Sequence, residues 1–238
     1  MKLLTLRIES NLTKISIIIP TINEANNLPL LLSDLSIIQK VGEIIIVDCG
    51  SKDKTIDVAN IYGAKVYKSK ERNRGLQLDL GAKNSKGEWL IFLHADTRLT
   101  NDWFIKIKSL FKGDKNFIYF FKFKINNKKK IYRVLEILVN FRSRYLKQPY
   151  GDQGLIIHKS IYLENNGFKK IPLMEDVDFF RRLKNKKDLK QLDLPIFTSS
   201  RKWERTNIFL QAIKNWNFRR RWLKGESTKT IYSDYYKK

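Results

Sequence analysis

Residues 15–24 read ISIIIPTINE, residues 43–55 read EIIIVDCGSKDKT, and residues 89–98 read WLIFLHADTR. Each stretch opens on a short run of almost entirely apolar residues and ends in polar ones. Unbroken apolar runs of this length are typical of strands that are buried on both faces of a sheet. The three stretches therefore predict central strands whose carboxyl ends carry polar side chains.

Segments with helical spacing of apolar side chains separate these strands and predict a βαβαβαβ order. The predicted strands and helices alternate along the chain as 15–19, 26–38, 43–47, 53–62, 64–67, 75–85 and 88–93. Apolar strands joined by helical crossovers form a parallel sheet that binds its ligands at the carboxyl ends of the strands. We therefore predict an α/β, Rossmann-like domain with a mostly parallel central sheet flanked by helices.

The pattern is less regular after residue 100 but continues without a repeat or a Gly/Ser/Pro-rich linker. The further predicted elements are helix 101–112, strand 117–125, helix 131–145, strand 154–158, a helix from about Met174, a strand near 195–199 and helix 207–223. We therefore predict one domain over residues 1–224, with a ligand-binding half at about 15–100 and a second half at about 101–224. Residues 225–238 are predicted to be a basic aromatic tail.

The 238-residue chain carries a net charge of +23, distributed unevenly. Residues 1–100 carry +3 and residues 101–238 carry +20. Such a basic segment indicates an anionic partner, which the composition leaves open between nucleic acid, an anionic lipid surface and a phosphorylated substrate. With 42% hydrophobic and 12% aromatic residues, disorder as the main state is excluded.

The single cysteine, Cys49, excludes an internal disulfide framework and a cysteine-cluster metal site. The longest apolar runs are strand-sized, well short of the ~20 residues that a membrane-spanning helix needs. The first residues, MKLLTLRIESNLTK, do not have the pattern of a secretory signal. We therefore expect a cytoplasmic location.

Polar residues at the strand ends predict a nucleotide site. Asp48 follows the second strand, a position from which a carboxylate accepts hydrogen bonds from a ribose or a base. Neither the G-x-G-x-x-G turn of dinucleotide-binding proteins nor a P-loop follows the first strand, where residues 20–24 contain no glycine. Arg72 and Arg74 precede a predicted helix and are expected to meet a phosphate with guanidinium charge and helix N–H groups.

His94 and Asp96 follow the fourth strand and are two residues apart. If the strand persists, both project to one side, as two ligands of a divalent metal would. The alternative is that they cap the segment 97–101. Spacing alone leaves both interpretations open.

Six motifs in order resemble one protein family. They are ISIIIPTINE (15–24), IIIVDCGSKDKT (44–55), RNRGLQLDLGA (72–82), LIFLHADTRL (90–99), YGDQG (150–154) and PLMEDVDFFRRL (172–183). Together they resemble family 2 glycosyltransferases with the GT-A fold. More narrowly, they resemble a bacterial subgroup with an HADT motif that is associated with radical-SAM and selenium-related genes.

This resemblance implies an inverting transfer of a sugar from a nucleotide diphosphate donor, with Mg or Mn as cofactor. Asp96, with His94 beside it, is then expected to bind the metal, although His94 stands where the family usually has Asp. Cys49 and Asp79 also depart from the family's usual residues. The residues expected to bind the nucleotide are Pro20, Asn23, Glu24, Asp48 and Arg74.

The resemblance also implies roles for residues of the second half. Asp176 is expected to be the general base that takes the acceptor proton, with Glu175 supporting it. Asp152 and Gln153 are expected to line the acceptor or donor-sugar site. The alternative is that these acids only favour the first turn of a helix, which we prefer for Asp178.

The basic carboxyl-terminal segment indicates how the protein meets its surroundings. The cluster 219–224, RRRWLK, predicts peripheral attachment to an anionic membrane at its inner face, whereas 201–203, RKW, matches the subgroup and is expected near the active site. The acceptor is unknown, and a lipid-linked one is among the options.

Two other function classes compete with this interpretation. A basic protein that binds nucleic acid or a membrane surface without transferase activity fits the charge, but no recognised RNA-binding motif is present, which disfavours nucleic acid. A methyltransferase that uses S-adenosylmethionine would need a glycine-rich turn after the first strand. Residues 21–27 contain none.

Overall fold

A seven-stranded sheet organises the molecule, which a computed structural model describes over residues 15–183, 188–200 and 208–236. The strand order is β3-β2-β1-β4-β6-β5-β7. β6 pairs antiparallel with both β4 and β5, and the other pairings are parallel. The strands are β1 Ile15–Thr21, β2 Gly42–Asp48, β3 Lys65–Lys68, β4 Trp89–Phe92, β5 Phe117–Ile125, β6 Leu155–His158 and β7 Asp188–Thr198.

Nine described helices surround the sheet, together with three short 3₁₀ turns. The α-helices are α1 Leu28–Asp34, α2 Thr55–Ile61, α3 Arg74–Asn84, α4 Trp103–Ile107, α5 Lys130–Tyr145, α6 Lys159–Glu164, α7 Glu175–Leu183, α8 Ile208–Leu223 and α9 Thr228–Tyr236. The 3₁₀ turns are Ser36–Lys40, Lys108–Lys112 and Gly151–Gln153. No helix in the described ranges is long and apolar enough to cross a bilayer.

The central strands are apolar on both sides because helices cover both faces of the sheet. Ile17 and Ile19 of β1 pack with α1, α2 and α4, whereas Ile18 packs with α3, α6 and α7. Side chains alternate between the faces of a strand, so a strand covered on both sides has few polar positions. This confirms the predicted α/β architecture, and because β5 to β7 continue the same sheet, both halves of the chain share it.

Several elements differ from the sequence-based prediction. The predicted helix 26–38 is a seven-residue helix, α1, followed by a 3₁₀ turn, and Pro29 at its start fits the first turn of a helix. β7 has eleven residues and begins well before the predicted strand. Helices α6 and α9 were not predicted, and α9 lies within the segment predicted to be a tail.

The carboxyl-terminal helices α8 and α9 pack onto the loop before α7. Ile231 of α9 is fully buried against Leu173 and Met174. Arg221 of α8 forms ion pairs with Glu226 and with Asp234 of α9, which join the two helices. This packing brings aromatic side chains of α9 to the edge of the sheet where β1 and β4 end.

Candidate active site

Two adjoining cavities lie at the carboxyl ends of β1 and β4. This is where the strand order reverses, because β2 lies on one side of β1 and β4 on the other, and such crevices bind ligands in α/β proteins. The first cavity has a volume of about 240 Å³ and the second about 410 Å³. Arg74, His94 and Asp96 line both cavities and therefore mark their junction.

The first cavity combines three of the predicted nucleotide-binding residues with residues of α9. Pro20, Glu24 and Arg74, which the resemblance predicts to bind the nucleotide, line it. Tyr232 and Tyr236 of α9 form another part of its wall. The other lining residues are Thr21, Ile22, Cys49, Arg72, Gln77, His94, Ala95, Asp96 and Pro172.

Asp48 is buried behind the first cavity and is not among its lining residues. One carboxylate oxygen accepts from the N–H groups of Gly50 and Ser51, both at 2.9 Å. The other accepts from the hydroxyls of Thr21, at 3.0 Å, and Ser51. Asp48 therefore shapes the loop after β2, and direct contact with a nucleotide stays a prediction.

Asn23 has a similar role on the exposed side of this loop. Its φ of 53° is in the left-handed region, which Asn tolerates better than most residues. Its N–H donates to the Ser51 hydroxyl and its side-chain oxygen accepts from the Lys52 N–H, both at 2.8 Å. Asn23 therefore joins the loops after β1 and β2 and does not line the first cavity.

Gln77 and Cys49 line the first cavity but were not predicted as site residues. The buried Gln77 amide donates to the carbonyls of Thr21, at 3.1 Å, and Val47, at 2.7 Å, and so ties together the ends of β1 and β2. Burial, followed by the charge of Asp48, raises the pKa of the Cys49 thiol. The thiol is therefore protonated at neutral pH.

The start of α3 offers fewer free N–H groups than predicted. The Gly75 N–H donates to the Ile171 carbonyl at 3.2 Å, and the Leu76 N–H donates to the Asn73 side chain at 3.0 Å. A Cβ at Gly75 would lie 2.0 Å from the Lys169 carbonyl oxygen, so this position requires glycine. Guanidinium charge, more than helix N–H groups, is what this turn presents to a ligand.

Arg74 is held at the cavity junction by Glu175. The Arg74 Nε donates to the Glu175 carboxylate, whose side chain is only 1% exposed. Burial raises the pKa of the Glu175 carboxyl to about 7 against the opposing charge of Arg74, and the charge of Asp176 adds to the rise. Burial alone would lower the pKa of Arg74, but Glu175 and Asp176 raise it, so the guanidinium stays charged. Glu175 lines neither cavity and therefore positions Arg74.

Asp176, which the resemblance predicts to be the general base, lines the second cavity at the start of α7. Its oxygens accept from the N–H groups of Gly151 and Val177, both at 2.7 Å. A Cβ at Gly151 would lie 3.1 Å from His94 Nε2 and 3.3 Å from Asp176 Oδ2, so the loop passes closely between these side chains. Met174, with a left-handed φ of 66°, sets the direction in which α7 begins.

The side chains of Asp152 and Gln153 have different surroundings in the structure. Asp152 lines the second cavity, and its contact with a sugar or an acceptor stays a prediction. The fully buried Gln153 instead accepts from the Ser143 hydroxyl at 2.5 Å and the Tyr150 N–H at 3.3 Å, and donates to the Phe121 carbonyl. Gln153 therefore supports the loop from behind and does not line the second cavity, contrary to its predicted role as a sugar contact.

His94 and Asp96 are together at the junction, as the metal interpretation requires. Within the described residues, no group of three or more His, Cys, Asp or Glu side chains is arranged to hold a metal ion. Mg²⁺ in phosphate-binding sites is commonly held by one or two carboxylates together with the substrate's phosphates. Asp96 with His94 beside it fits that mode, in which a diphosphate supplies most of the ligands.

Asp178 has a structural role in α7, the interpretation that the sequence favours for it. Its buried carboxylate accepts from Lys169 at 2.7 Å and from Arg182 at 2.8 Å, and Asp178 lines neither cavity. The segment 201–203 lies outside the described residues. Of the arginines in the 219–224 cluster, Arg219 lines the second cavity and Arg221 is paired with acids, so the cluster is not a free basic patch.

The fold is that of a GT-A protein. The chain belongs to glycosyl transferase family 2, whose sequence profile, described as "Glycosyl transferase family 2", matches residues 16–171. The narrower subgroup resemblance stays a prediction.

One curated relative and two solved structures are similar to the chain. The 4,4'-diaponeurosporenoate glycosyltransferase of Staphylococcus haemolyticus is 39% identical over 95 residues, which are 37% of this chain and 25% of that protein. S. aureus TarS 1-349 in complex with UDP has a TM-score of 0.65 at 18% identity, covering 78% of this chain and 60% of that one.

The second structure is glucosyl-3-phosphoglycerate synthase from Mycobacterium tuberculosis, in complex with Mn2+, UDP and glucosyl-3-phosphoglycerate. Its TM-score is 0.56 at 18% identity, covering 77% of this chain and 70% of that one. At these identities the two structures share the fold with this chain. The matched segment spans only a quarter of the curated relative's length.

Proposed function

We propose that this protein is an inverting glycosyltransferase that moves a sugar from a nucleotide diphosphate donor to an acceptor hydroxyl. One observation carries the proposal: two cavities meet at Arg74, His94 and Asp96, and Asp176 lines only the second. A nucleotide in the first cavity would have its diphosphate at the junction and its sugar directed into the second. The base and the leaving group are then on opposite sides of the sugar, as inversion requires.

Uridine diphosphate is the nucleotide we propose. Both similar structures named above contain UDP, and family membership supports a nucleotide-sugar donor. In the first cavity, Tyr232 and Tyr236 offer aromatic faces to a base, and Arg72, which lies 4.9 Å from the Tyr236 ring centroid, adds positive charge.

The residues of this chain divide the work of the reaction. Asp176 takes the proton of the acceptor hydroxyl while the acceptor oxygen attacks the anomeric carbon of the donor sugar. The bond between that carbon and the diphosphate oxygen breaks. Arg74 offsets the charge that develops on the leaving diphosphate, and Glu175 keeps Arg74 in position. Asp152, on the wall of the second cavity, is placed to bind a sugar or acceptor hydroxyl.

Asp96 and His94 would hold a divalent cation, Mg or Mn, against the diphosphate. Such a cation supplies further neutralisation of the leaving group. The complex of the similar synthase with Mn2+ and UDP supports this proposal.

Thermal unfolding tests the donor. A ligand present at 100 times its dissociation constant stabilises the folded state by about 2.7 kcal/mol. We expect UDP and UDP-sugars with Mn to raise the melting temperature by several degrees, and Tyr236→Ala to reduce that shift. A panel of uridine, guanosine and thymidine diphosphate sugars that leaves the melting temperature unchanged would contradict the proposed function.

We also propose peripheral attachment to an anionic membrane through α5. The side chains on one face of α5 are apolar and exposed, with Ile137 at 67% and Phe141 at 57% exposure. Lys128, Lys129 and Lys130 adjoin the start of this helix. Apolar side chains beside basic ones are the combination that binds a helix at an anionic bilayer surface. This surface replaces the 219–224 cluster as the expected membrane contact.

Vesicle pelleting tests this contact. Because each large apolar side chain that leaves water contributes about 1.5–3 kcal/mol when fully buried, the double variant Ile137→Ser/Phe141→Ser is expected to bind anionic vesicles at least ~10-fold more weakly. The matched control is Ile61→Ser/Ile105→Ser, which removes two exposed apolar side chains from α2 and α4. Equal binding of the wild type to neutral and anionic vesicles would contradict the proposal.

A further inference from the structure

Two arginines from different helices converge on the wall of the second cavity. The Arg142 guanidinium of α5 lies 3.6 Å from the Tyr150 ring centroid, and its Nε donates to the Gln148 carbonyl at 3.1 Å. Arg219 of α8 donates to the Gln148 side chain at 2.6 Å and to the Tyr150 hydroxyl at 3.4 Å. One tyrosine and one glutamine thus hold two cations side by side.

Each of these arginines has a buried donor atom that is not used. Arg142 Nη2 and Arg219 Nε have no hydrogen-bond partner in the described part of the chain. Burial lowers the pKa of the Arg142 guanidinium, and the charge of Arg219 adds to the effect, although Tyr150, Asp152 and Asp176 oppose it. Buried donors without partners are costly, and charged ones more so, so this arrangement favours an incoming acceptor of hydrogen bonds.

We propose that Arg142 and Arg219 form an anion subsite that holds a phosphate or carboxylate group of the acceptor. This inference rests on the proposed function and specifies its acceptor class. Guanidinium groups bind such oxyanions through paired N–H donors. Asp152 and Asp176 line the same cavity and their carboxylates repel an anion, so the anionic end of the acceptor lies at the arginines and the reacting hydroxyl at Asp176.

The rest of the cavity wall fits an apolar group beside the anion. Its apolar lining residues come from β5, α5, α7, α8 and the loop before α7, and include Phe123, Leu135, Val139, Leu173, Val177 and Trp216. Leu135, Val139 and Arg142 are on the same helix, α5, so the apolar and cationic parts of the wall are adjacent. The chemistry recognised is an anionic group attached to an apolar body, which either a soluble phosphorylated compound or a lipid-linked phosphate supplies.

Calorimetric titration with defined probes tests the subsite. Saturating UDP and Mn first fill the first cavity, so that phosphate cannot bind there. Octyl phosphate, inorganic phosphate and octanol are then titrated in turn. We expect octyl phosphate to bind and octanol not to bind. If inorganic phosphate binds as tightly as octyl phosphate, a soluble source is supported, and if it binds at least ~10-fold more weakly, a lipid-type source is supported.

Substitutions assign the binding to the two arginines. Arg142→Gln and Arg219→Gln are each expected to lower the affinity for octyl phosphate ~10- to 100-fold, as expected for a lost hydrogen bond to a charged group. Arg144→Gln and Lys214→Gln remove exposed cations from the same two helices and are the matched controls. Arg142→Lys keeps the charge but loses the paired donors. It replaces Arg142→Gln in the titration if Arg142→Gln does not fold.

The outcomes separate this inference from the proposed function. Wild-type affinity for octyl phosphate in folded Arg142→Lys and Arg219→Gln would overturn the anion subsite, as would octanol binding as tightly as octyl phosphate. UDP binding is measured in every preparation. If the wild type does not bind UDP, the proposed function fails. If UDP binds normally but no arginine-dependent phosphate binding is found, only the subsite fails.

Discussion

Replacing Asp176 by Asn is expected to lower turnover ~10²–10⁴-fold, with little change in donor affinity. Asp176 lines the second cavity and not the first, so the nucleotide contacts are expected to survive. Asn keeps the size of the side chain, and its carbonyl can still accept from the Gly151 N–H. What is lost is the group that takes the acceptor proton.

Two neighbouring substitutions make this test specific. Glu175→Gln is expected to reduce turnover less, through a misplaced Arg74 and therefore with a weaker donor affinity. Asp178→Asn is expected to retain turnover per folded molecule but to lose about 1 kcal/mol of stability, because both of its cationic partners are partly exposed. Single-turnover kinetics and donor titrations measure these differences. If Glu175→Gln is the most damaging at unchanged donor binding, the base is Glu175.

Replacing Asp96 by Asn is expected to abolish the stimulation of turnover by Mn or Mg and to lower turnover at saturating metal by at least ~100-fold. The neutral amide no longer offsets the charge of a cation at the junction of the cavities. Asp96 is partly exposed there, so the fold is expected to be retained. Turnover measured over a range of metal concentrations, with melting temperature in parallel, checks both expectations.

The control for Asp96 comes from the same connection after β4. Asp102→Asn removes a carboxylate that is half exposed and pairs with Lys106, away from both cavities. It is expected to leave metal-dependent turnover unchanged. Wild-type turnover and metal dependence in Asp96→Asn would remove Asp96 from the mechanism.

The predicted nucleotide residues divide into two groups that sequence proximity could not separate. Pro20, Glu24 and Arg74 line the first cavity, whereas Asp48 and Asn23 hold the loops behind it. All five follow or adjoin a strand end and look alike in sequence. Which of these side chains faces a cavity depends on hydrogen bonds to residues distant in the sequence, such as Lys52 for Asn23 and Glu175 for Arg74.

Residues of the second cavity were missed for a similar reason. Arg142 and Arg219 are 77 positions apart, on helices whose arginines include exposed ones such as Arg144 and Arg220. No local pattern distinguishes the inward arginines from the outward ones. The sequence predicts a tail at Tyr236 because the helix that carries it, α9, is short and polar. This helix is stabilised by packing of Ile231 onto Leu173 and Met174, which no local pattern reveals.

The sequence by itself determined the central parallel strands and the edge of the sheet at which the candidate site lies. Continuous apolar runs require burial on both faces, and parallel strands bring Pro20, His94 and Asp96 to one edge. Only the tertiary structure decided that α9 completes the first cavity and that two distant arginines meet in the second. Local periodicity specifies elements because it acts through neighbouring residues, whereas contacts between distant helices depend on how every intervening element packs.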